Sequence, residues 1–125
     1  MKKPEIIYLD DHLVVVNKAA GLLSIPDRYQ PEKPNLSQWL KNQLGEVLTI
    51  HRLDKDTSGI IVFARNPAAH QHISIQFEKR EAKKYYLAIV DGHLQQVSGE
   101  INLSIAHDPS KPGRMVTNKK GKESL

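Results

Sequence analysis

Charged and hydroxyl side chains are concentrated in residues 51–58, where Arg52 and Asp54 are followed by Lys55. A single aspartate in a polar loop, such as Asp54, is most often a helix cap or a solvated charge. For Arg52, the alternative is an ion pair at the surface, which contributes only about 0–1 kcal/mol to stability. The reference pKa of an aspartate is about 3.9, and an adjacent guanidinium lowers it further. We therefore expect Asp54 to be ionised near neutral pH, which suits a nucleophile or a general base better than a general acid.

The segments on either side of residues 51–58 predict how these side chains are positioned. Val47–Ile50 and Gly59–Ala64 are apolar enough to form interior strands. A polar connection between two buried strands is constrained at both ends. We therefore expect residues 51–58 to form a rigid loop.

The first half of the chain predicts a hairpin and two helices around this loop. Ile6–Leu9 and Leu13–Val16 are β-branched runs joined by a polar turn, and the second run is apolar on both faces, which indicates a central strand. The leucine spacing predicts a helix over residues 36–44, capped by Asn35. Asn66 and Pro67 predict the start of another helix, which runs to about residue 80.

The second half predicts further strands, at Tyr85–Val90, at Ile101–Ile105 and from Met115. Helices and strands are mixed without a regular strand–helix–strand alternation. This favours the α+β class: a mixed, largely antiparallel sheet with flanking helices, in a single domain over residues 1–125. The last residues are expected to lead into another strand, so we expect that domain to be incomplete at its C-terminus.

Composition limits the classes of protein to which the chain can belong. Its 125 residues are 39% hydrophobic, enough for one compact domain, and its net charge of +4 suits a polyanionic partner. The absence of cysteine excludes disulfides and thiolate zinc sites and fits a reducing cytoplasm. No apolar run approaches the roughly 18 residues of a membrane span. His70 and His72 point to different helix faces, so we expect no shared metal.

The residues His51–Ala64 resemble the signature of the RluA-type family of RNA pseudouridine synthases over fourteen consecutive positions. The likeness extends to Leu13–Leu22, which is similar to the family's early strand and Lys-Pro-x-Gly loop. Ala19 stands where the family commonly has proline. Lys84–Gly92 resembles the family's Lys-x-Tyr strand, which places Tyr86 at the position of the active-site tyrosine.

This resemblance implies the isomerisation of uridine to pseudouridine in ribosomal or transfer RNA, without a cofactor or a metal. Asp54 would be the essential carboxylate, either adding to the ribose or removing a proton from it. The target nucleotide must leave its stack, at a cost of roughly a few kcal/mol. Arg52 would fill the vacated space and pair with Asp54 before RNA binds. Tyr86 would lie against the uracil, where stacking contributes on the order of 1–3 kcal/mol.

Other residues are expected to support the site or to bind RNA. Structural support is predicted for the following five, of which His51 is expected to act by packing or hydrogen bonding: His51, Leu53, Thr57, Ser58 and Gly59. RNA binding through phosphates is predicted for four basic residues, although a solvated charged face is the alternative for them: Lys55, Arg80, Lys83 and Lys84.

Two other functions are compatible with these residues. One is an RNA-binding module that has lost catalysis, since an Arg-x-His-Gln-x-Arg-like segment found in the family has no match here. The other is a nucleoside or glycoside hydrolase that uses Asp54 with Asp56. Because Asp54, Arg52 and Tyr86 are all present, we expect this chain to be a fragment of a longer, cytoplasmic and monomeric enzyme. We expect weak or no activity from these 125 residues alone.

Overall fold

The computed structural model describes residues 1–111 and 113–122. The chain divides into two compact units, Met1–Tyr85 and Tyr86–Leu125. The first unit contains the loop with Asp54, and the second contains Tyr86. That residues 1–125 form a single domain stays a prediction.

The first unit is built on a four-stranded antiparallel sheet in the order β1-β2-β4-β3. Its strands are β1 (Glu5–Leu9), β2 (Leu13–Lys18), β3 (Leu48–Thr49) and β4 (Gly59–Ala64). Asp10 makes the hairpin turn, because its Oδ1 accepts hydrogen bonds from the backbone N–H groups of His12 and Leu13, both at 2.7 Å. The predicted hairpin and the central position of its second strand are confirmed.

The pairing of β2 with β4 forms the centre of the core. Val14 lies opposite Phe63 and Val16 opposite Ile61, and all four side chains are fully buried. The last pair of this ladder joins Lys18 to Gly59. The end of β2 therefore lies beside the point where the loop of residues 51–58 enters β4.

Two helices complete the first unit. Helix α1 (Leu36–Leu44) is capped by Asn35, whose Oδ1 accepts from the Gln38 N–H at 2.9 Å, and it buries Leu36 and Leu40 in the core. Helix α2 (Pro67–Glu78) is capped in the same way by Asn66. Both predicted helices are confirmed, and within the described chain no helix is long and apolar enough to cross a membrane.

The second unit contains a two-stranded antiparallel sheet of β5 (Ile105–His107) and β6 (Met115–Thr117). The strand predicted from Met115 is confirmed, whereas the strand predicted over Ile101–Ile105 is limited to its last residue. The strand predicted at Tyr85–Val90 is wrong for this structure: the segment is irregular, and Leu87 and Ile89 are fully exposed. β-Branched and aromatic residues favour a strand only where a neighbouring strand and a buried face exist. The α+β class with antiparallel pairing is nevertheless confirmed.

Candidate active site

The loop of residues 51–58 connects β3 to β4 and contains a hydrogen-bonded turn. The Thr57 N–H donates to the Asp54 carbonyl oxygen at 3.1 Å. Gly59, at the start of β4, has a φ of 131° that L side chains rarely adopt. The chain thus turns sharply immediately after Asp54 and then enters the buried strand.

The backbone before Asp54 is fixed by Ser24, a buried residue 29 positions before Leu53 in sequence. The Ser24 hydroxyl donates to the Leu53 carbonyl oxygen at 2.6 Å and accepts from the Leu53 N–H at 3.1 Å. One side chain therefore satisfies both backbone groups of Leu53, whose own side chain is buried in the core. Arg52 and Asp54 flank this anchored residue, and both are exposed.

The backbone after Asp54 is fixed by Lys18, which is fully buried. Its ammonium group donates to the Lys55 carbonyl oxygen at 3.0 Å, and to the carbonyl oxygens of Ala19 and Leu22 at 3.0 and 2.7 Å. These three bonds match the three donors of an ammonium group. Burial lowers the pKa of Lys18, while the carboxylates of Asp56 and Asp54 oppose this shift.

Lys18 was not among the site residues expected from the sequence. Along β2, alternate positions face the core, and Lys18 follows the buried Val14 and Val16 in that alternation. A lysine at an inward-facing position of a central strand must have hydrogen-bond acceptors around it. That alternation was the sequence signal that could have identified Lys18.

His51 stands where the ladder between β3 and β4 stops. The last backbone pair is Thr49 with Phe63, and the next N–H of β4, that of Val62, donates to His51 Nε2 at 3.1 Å. Because Nε2 accepts, the imidazole is neutral with its proton on Nδ1. The ring stacks on Phe77 of α2 with centroids 4.6 Å apart. Burial, and secondly the charge of Lys84, lower the pKa of His51.

Arg52, Asp54 and Lys55 line one cleft of about 210 Å³, which we call the Asp54 cleft. Asp27 and Arg28 line it as well. The expected pairing of Arg52 with Asp54 is not present, because within the described chain these two side chains form no ion pair within 4.0 Å. Both are exposed to solvent, where such a pair gains too little free energy to fix two side chains.

The remaining predicted site residues lie at different places in the chain. Thr57 is half-buried in the turn, and Ser58 is exposed. Arg80 follows the end of α2 with a positive φ of 56°, and Lys83 and Lys84 are exposed near the end of the first unit. Tyr86 is the first residue of the second unit and is 59% exposed. The structural geometry brings Arg52, Leu53, Asp54 and Lys55 together; the roles of all these residues stay predictions.

Metal ligation has no support in the residues that the structure describes, since they contain no group of three His, Asp or Glu side chains arranged to bind an ion. His70 instead donates from Nε2 to the Thr49 carbonyl oxygen at 2.9 Å. This contact ties α2 to the short strand β3. It gives His70 a structural role.

Comparison with known proteins identifies the family. Residues 12–124 match the family described as RNA pseudouridylate synthase. The dual-specificity RNA pseudouridine synthase RluA of Escherichia coli strain K12 is 40% identical over 118 residues, covering 94% of this chain and 54% of that protein. The protein of the same name from Haemophilus influenzae is 47% identical over 104 residues, covering 83% of this chain and 48% of that protein.

Solved structures show the same fold. Human RNA pseudouridylate synthase domain containing 4 is 25% identical with a TM-score of 0.68, and the match covers 96% of this chain and 50% of that one. Human RNA pseudouridylate synthase domain containing 1 has a TM-score of 0.74 at 24% identity, covering 99% of this chain and 48% of that one. The chain spans about half the length of the curated relatives it matches. It belongs to the RNA pseudouridylate synthase family.

Proposed function

We propose that the full-length protein containing this chain isomerises uridine to pseudouridine in RNA, with Asp54 as the essential carboxylate. One observation carries the proposal: Asp54 is exposed in a cleft while the backbone on both of its sides is fixed, by Ser24 at Leu53 and by Lys18 at Lys55. A reacting group needs this combination of access and fixed position.

The isomerisation of uridine requires no second substrate. The bond from C1′ of the ribose to N1 of uracil breaks, the base turns, and a bond from C1′ to C5 forms. The hydrogen on C5 then leaves to solvent and N1 gains a proton, so the atoms balance without an oxidant, a reductant or a second substrate. Asp54 can contribute by adding to the sugar or by removing a proton from it, and both routes require the carboxylate form.

The other predicted residues are assigned around this step. Arg52 replaces the everted nucleotide in the RNA stack, and Tyr86 lies against the flipped uracil. Lys55, Arg80, Lys83 and Lys84 bind phosphates, which adds affinity and salt dependence rather than sequence choice. His51, Leu53, Thr57, Ser58 and Gly59 support the loop.

Ribosomal or transfer RNA is the proposed class of substrate, as the resemblance of residues 51–64 to the RluA-type signature implies. Several relatives are named dual-specificity RNA pseudouridine synthases, which supports RNA as the substrate. A cytoplasmic location and a monomeric state remain part of the proposal; the lack of cysteine fits a reducing compartment such as the cytoplasm.

Tritium release from RNA labelled as [5-³H]uridine tests the proposal. Wild-type full-length protein should release tritium, and Asp54→Asn should lower the rate at least about 10²-fold, because an amide can neither add to the sugar nor take its proton. Asp56→Asn is the matched control, since it removes a neighbouring exposed carboxylate and should keep most of the activity. Equal release from wild type and Asp54→Asn would remove Asp54 from the mechanism.

The same samples distinguish the two other functions. A binding module without catalysis would retain RNA and release no tritium. A nucleoside hydrolase would give free uracil, and Asp56→Asn would then be inactive as well. Chromatography of the reaction products separates uracil from pseudouridine.

A further inference from the structure

A second cleft of about 430 Å³, which we call the flanking cleft, adjoins the Asp54 cleft. The two clefts share Leu23 and Lys55 in their walls. Two hydrogen bonds to one backbone carbonyl fix their common wall: the Lys55 carbonyl oxygen accepts from the Gly21 N–H at 2.8 Å and from the side-chain Nζ of Lys18 at 3.0 Å. The junction of the two clefts is therefore a fixed part of the fold.

The flanking cleft combines an apolar surface with positive charge. Ala19, Ala20, Leu22 and Pro34 contribute apolar surface, and three lysines surround it: Lys2, Lys33 and Lys55. Among the described residues that line this cleft, none is acidic. Its volume lies within the roughly 300–1,000 Å³ typical of small-molecule sites, enough for a nucleotide.

The chain segment at Leu23 and Ser24 is also anchored. The Leu23 carbonyl oxygen accepts from the Leu36 N–H at 2.8 Å, and the Ser24 carbonyl oxygen accepts from the Ser37 N–H at 3.0 Å. These two donors belong to the first turn of α1. Residues 23 and 24, which pass from one cleft to the other, are thus attached to the helix on one side and to Leu53 on the other.

We propose that the flanking cleft binds the nucleotide next to the target uridine, with its base against the apolar wall and its phosphate between Lys33 and Lys55. This proposal rests on the proposed function, since RNA is the polyanion that Asp54 would act on. Because the flanking cleft adjoins the Asp54 cleft, the nucleotide that reaches it is the neighbour of the target uridine in the same strand. Charge selects a phosphate, because lysine ammonium groups bind phosphates as point charges.

In the free protein, Lys33 interacts only weakly with its carboxylate neighbour, Asp27. Lys33 lies near Asp27 and contributes the smallest of the causes that lower the pKa of that carboxyl. The main causes are the backbone N–H groups of Tyr29 and Gln30, which donate to Asp27 Oδ1 at 2.8 and 2.9 Å. Because Asp27 is engaged by its own loop, Lys33 remains available for a phosphate.

RNA affinity as a function of salt tests the flanking cleft. The probe is a 5′-labelled uridine-containing stem-loop RNA, titrated with full-length protein at several salt concentrations and followed by fluorescence anisotropy. Lys33→Gln should raise Kd roughly 3- to 10-fold and reduce the slope of log Kd against log salt by about 0.7 to 1, the loss of one phosphate contact. Ala20→Glu places a carboxylate in the cleft and should weaken binding at least as much.

Matched controls lie outside both clefts. Lys41→Gln changes an exposed lysine of α1, and Ala68→Glu changes an exposed alanine of α2. Both should leave Kd and the salt slope at wild-type values. Wild-type values for Lys33→Gln and Ala20→Glu, or no binding of the RNA by wild-type protein, would overturn the proposal.

Tritium release, measured on the same preparations, separates this proposal from the proposed function. Lys33→Gln should raise the KM for RNA and leave kcat for isomerisation near the wild-type value. If wild-type protein binds the RNA but releases no tritium, the proposed function fails, and the comparison of cleft variants with their controls still decides whether the flanking cleft binds RNA.

Discussion

The hydroxyl of Ser24 both donates to the carbonyl oxygen of Leu53 and accepts from its N–H, at 2.6 and 3.1 Å. Leu53 directly precedes Asp54, so this pair of bonds sets the direction in which the carboxylate leaves the backbone. The leucine side chain is buried, and the serine is 3% exposed. The position of the Asp54 backbone therefore depends on the contact between Ser24 and Leu53.

Ser24→Ala should therefore lower kcat for isomerisation with little change in KM. Loss of the hydroxyl leaves a buried N–H and a buried carbonyl of Leu53 unpaired, which costs on the order of 1–3 kcal/mol and lets the loop shift. Ser37→Ala is the control: Ser37 is 4% exposed, and within the described chain its hydroxyl makes no hydrogen bond. Steady-state kinetics at 25 °C provide the measurement, and Ser24→Thr, which keeps a hydroxyl, should recover part of kcat. An unchanged kcat in Ser24→Ala would exclude this positioning role.

Lys18→Met should lower both the free energy of unfolding and the rate of isomerisation. Methionine replaces most of the buried stem but removes three hydrogen bonds to backbone carbonyls, and we expect a loss of on the order of 2–4 kcal/mol in the free energy of unfolding. Urea denaturation of the full-length protein measures this. Lys41→Met, at an exposed position of α1, should change it by less than about 0.5 kcal/mol. Similar unfolding midpoints for the two variants would contradict the role assigned to Lys18.

His51 should make stability depend on pH in the mildly acidic range. Its pKa in the folded protein is lower than the ordinary 6.5, so the folded state binds fewer protons than the unfolded state as pH falls below 6.5. The contribution of neutral His51 is fully present above pH 6.5 and is lost progressively below it, down to the lower folded-state pKa.

His51→Gln tests this dependence, because an amide oxygen can accept from the Val62 N–H but does not titrate. Unfolding free energies at a series of pH values from 4.5 to 7.5 should fall less steeply with acid in His51→Gln than in wild type. His72→Gln, at an exposed position of α2, should retain the wild-type slope. If both variants follow the wild-type curve, protonation of the half-buried His51 does not control the acid response.

Local patterns in the sequence predicted the local elements well. Helix α1 was predicted with the bounds found, because the Asn35 cap and the leucine spacing act within one helix. The hairpin of β1 and β2 followed from a polar turn between two apolar runs. These features depend on neighbours a few residues apart, which a sequence displays directly.

Contacts between distant segments were not predicted. Ser24 with Leu53 and Lys18 with Lys55 join residues 29 and 37 positions apart through a side chain and a backbone group, and no local pattern encodes such a pair. At Tyr85–Val90, in contrast, a strand was predicted that the structure does not contain, because these strand-forming residues lack a buried face. Intrinsic preference decides a strand only together with its partners.

The proposed function is that the full-length protein makes pseudouridine in RNA through the carboxylate of Asp54. The most direct measurement is the nucleoside content of a uridine-containing ribosomal or transfer RNA after incubation with full-length protein and complete digestion, resolved by liquid chromatography. We predict pseudouridine with wild-type protein and none above background with Asp54→Asn, while both proteins bind the RNA. Equal amounts of pseudouridine from both proteins would exclude Asp54 as the essential carboxylate, and none from wild type would exclude the proposed function.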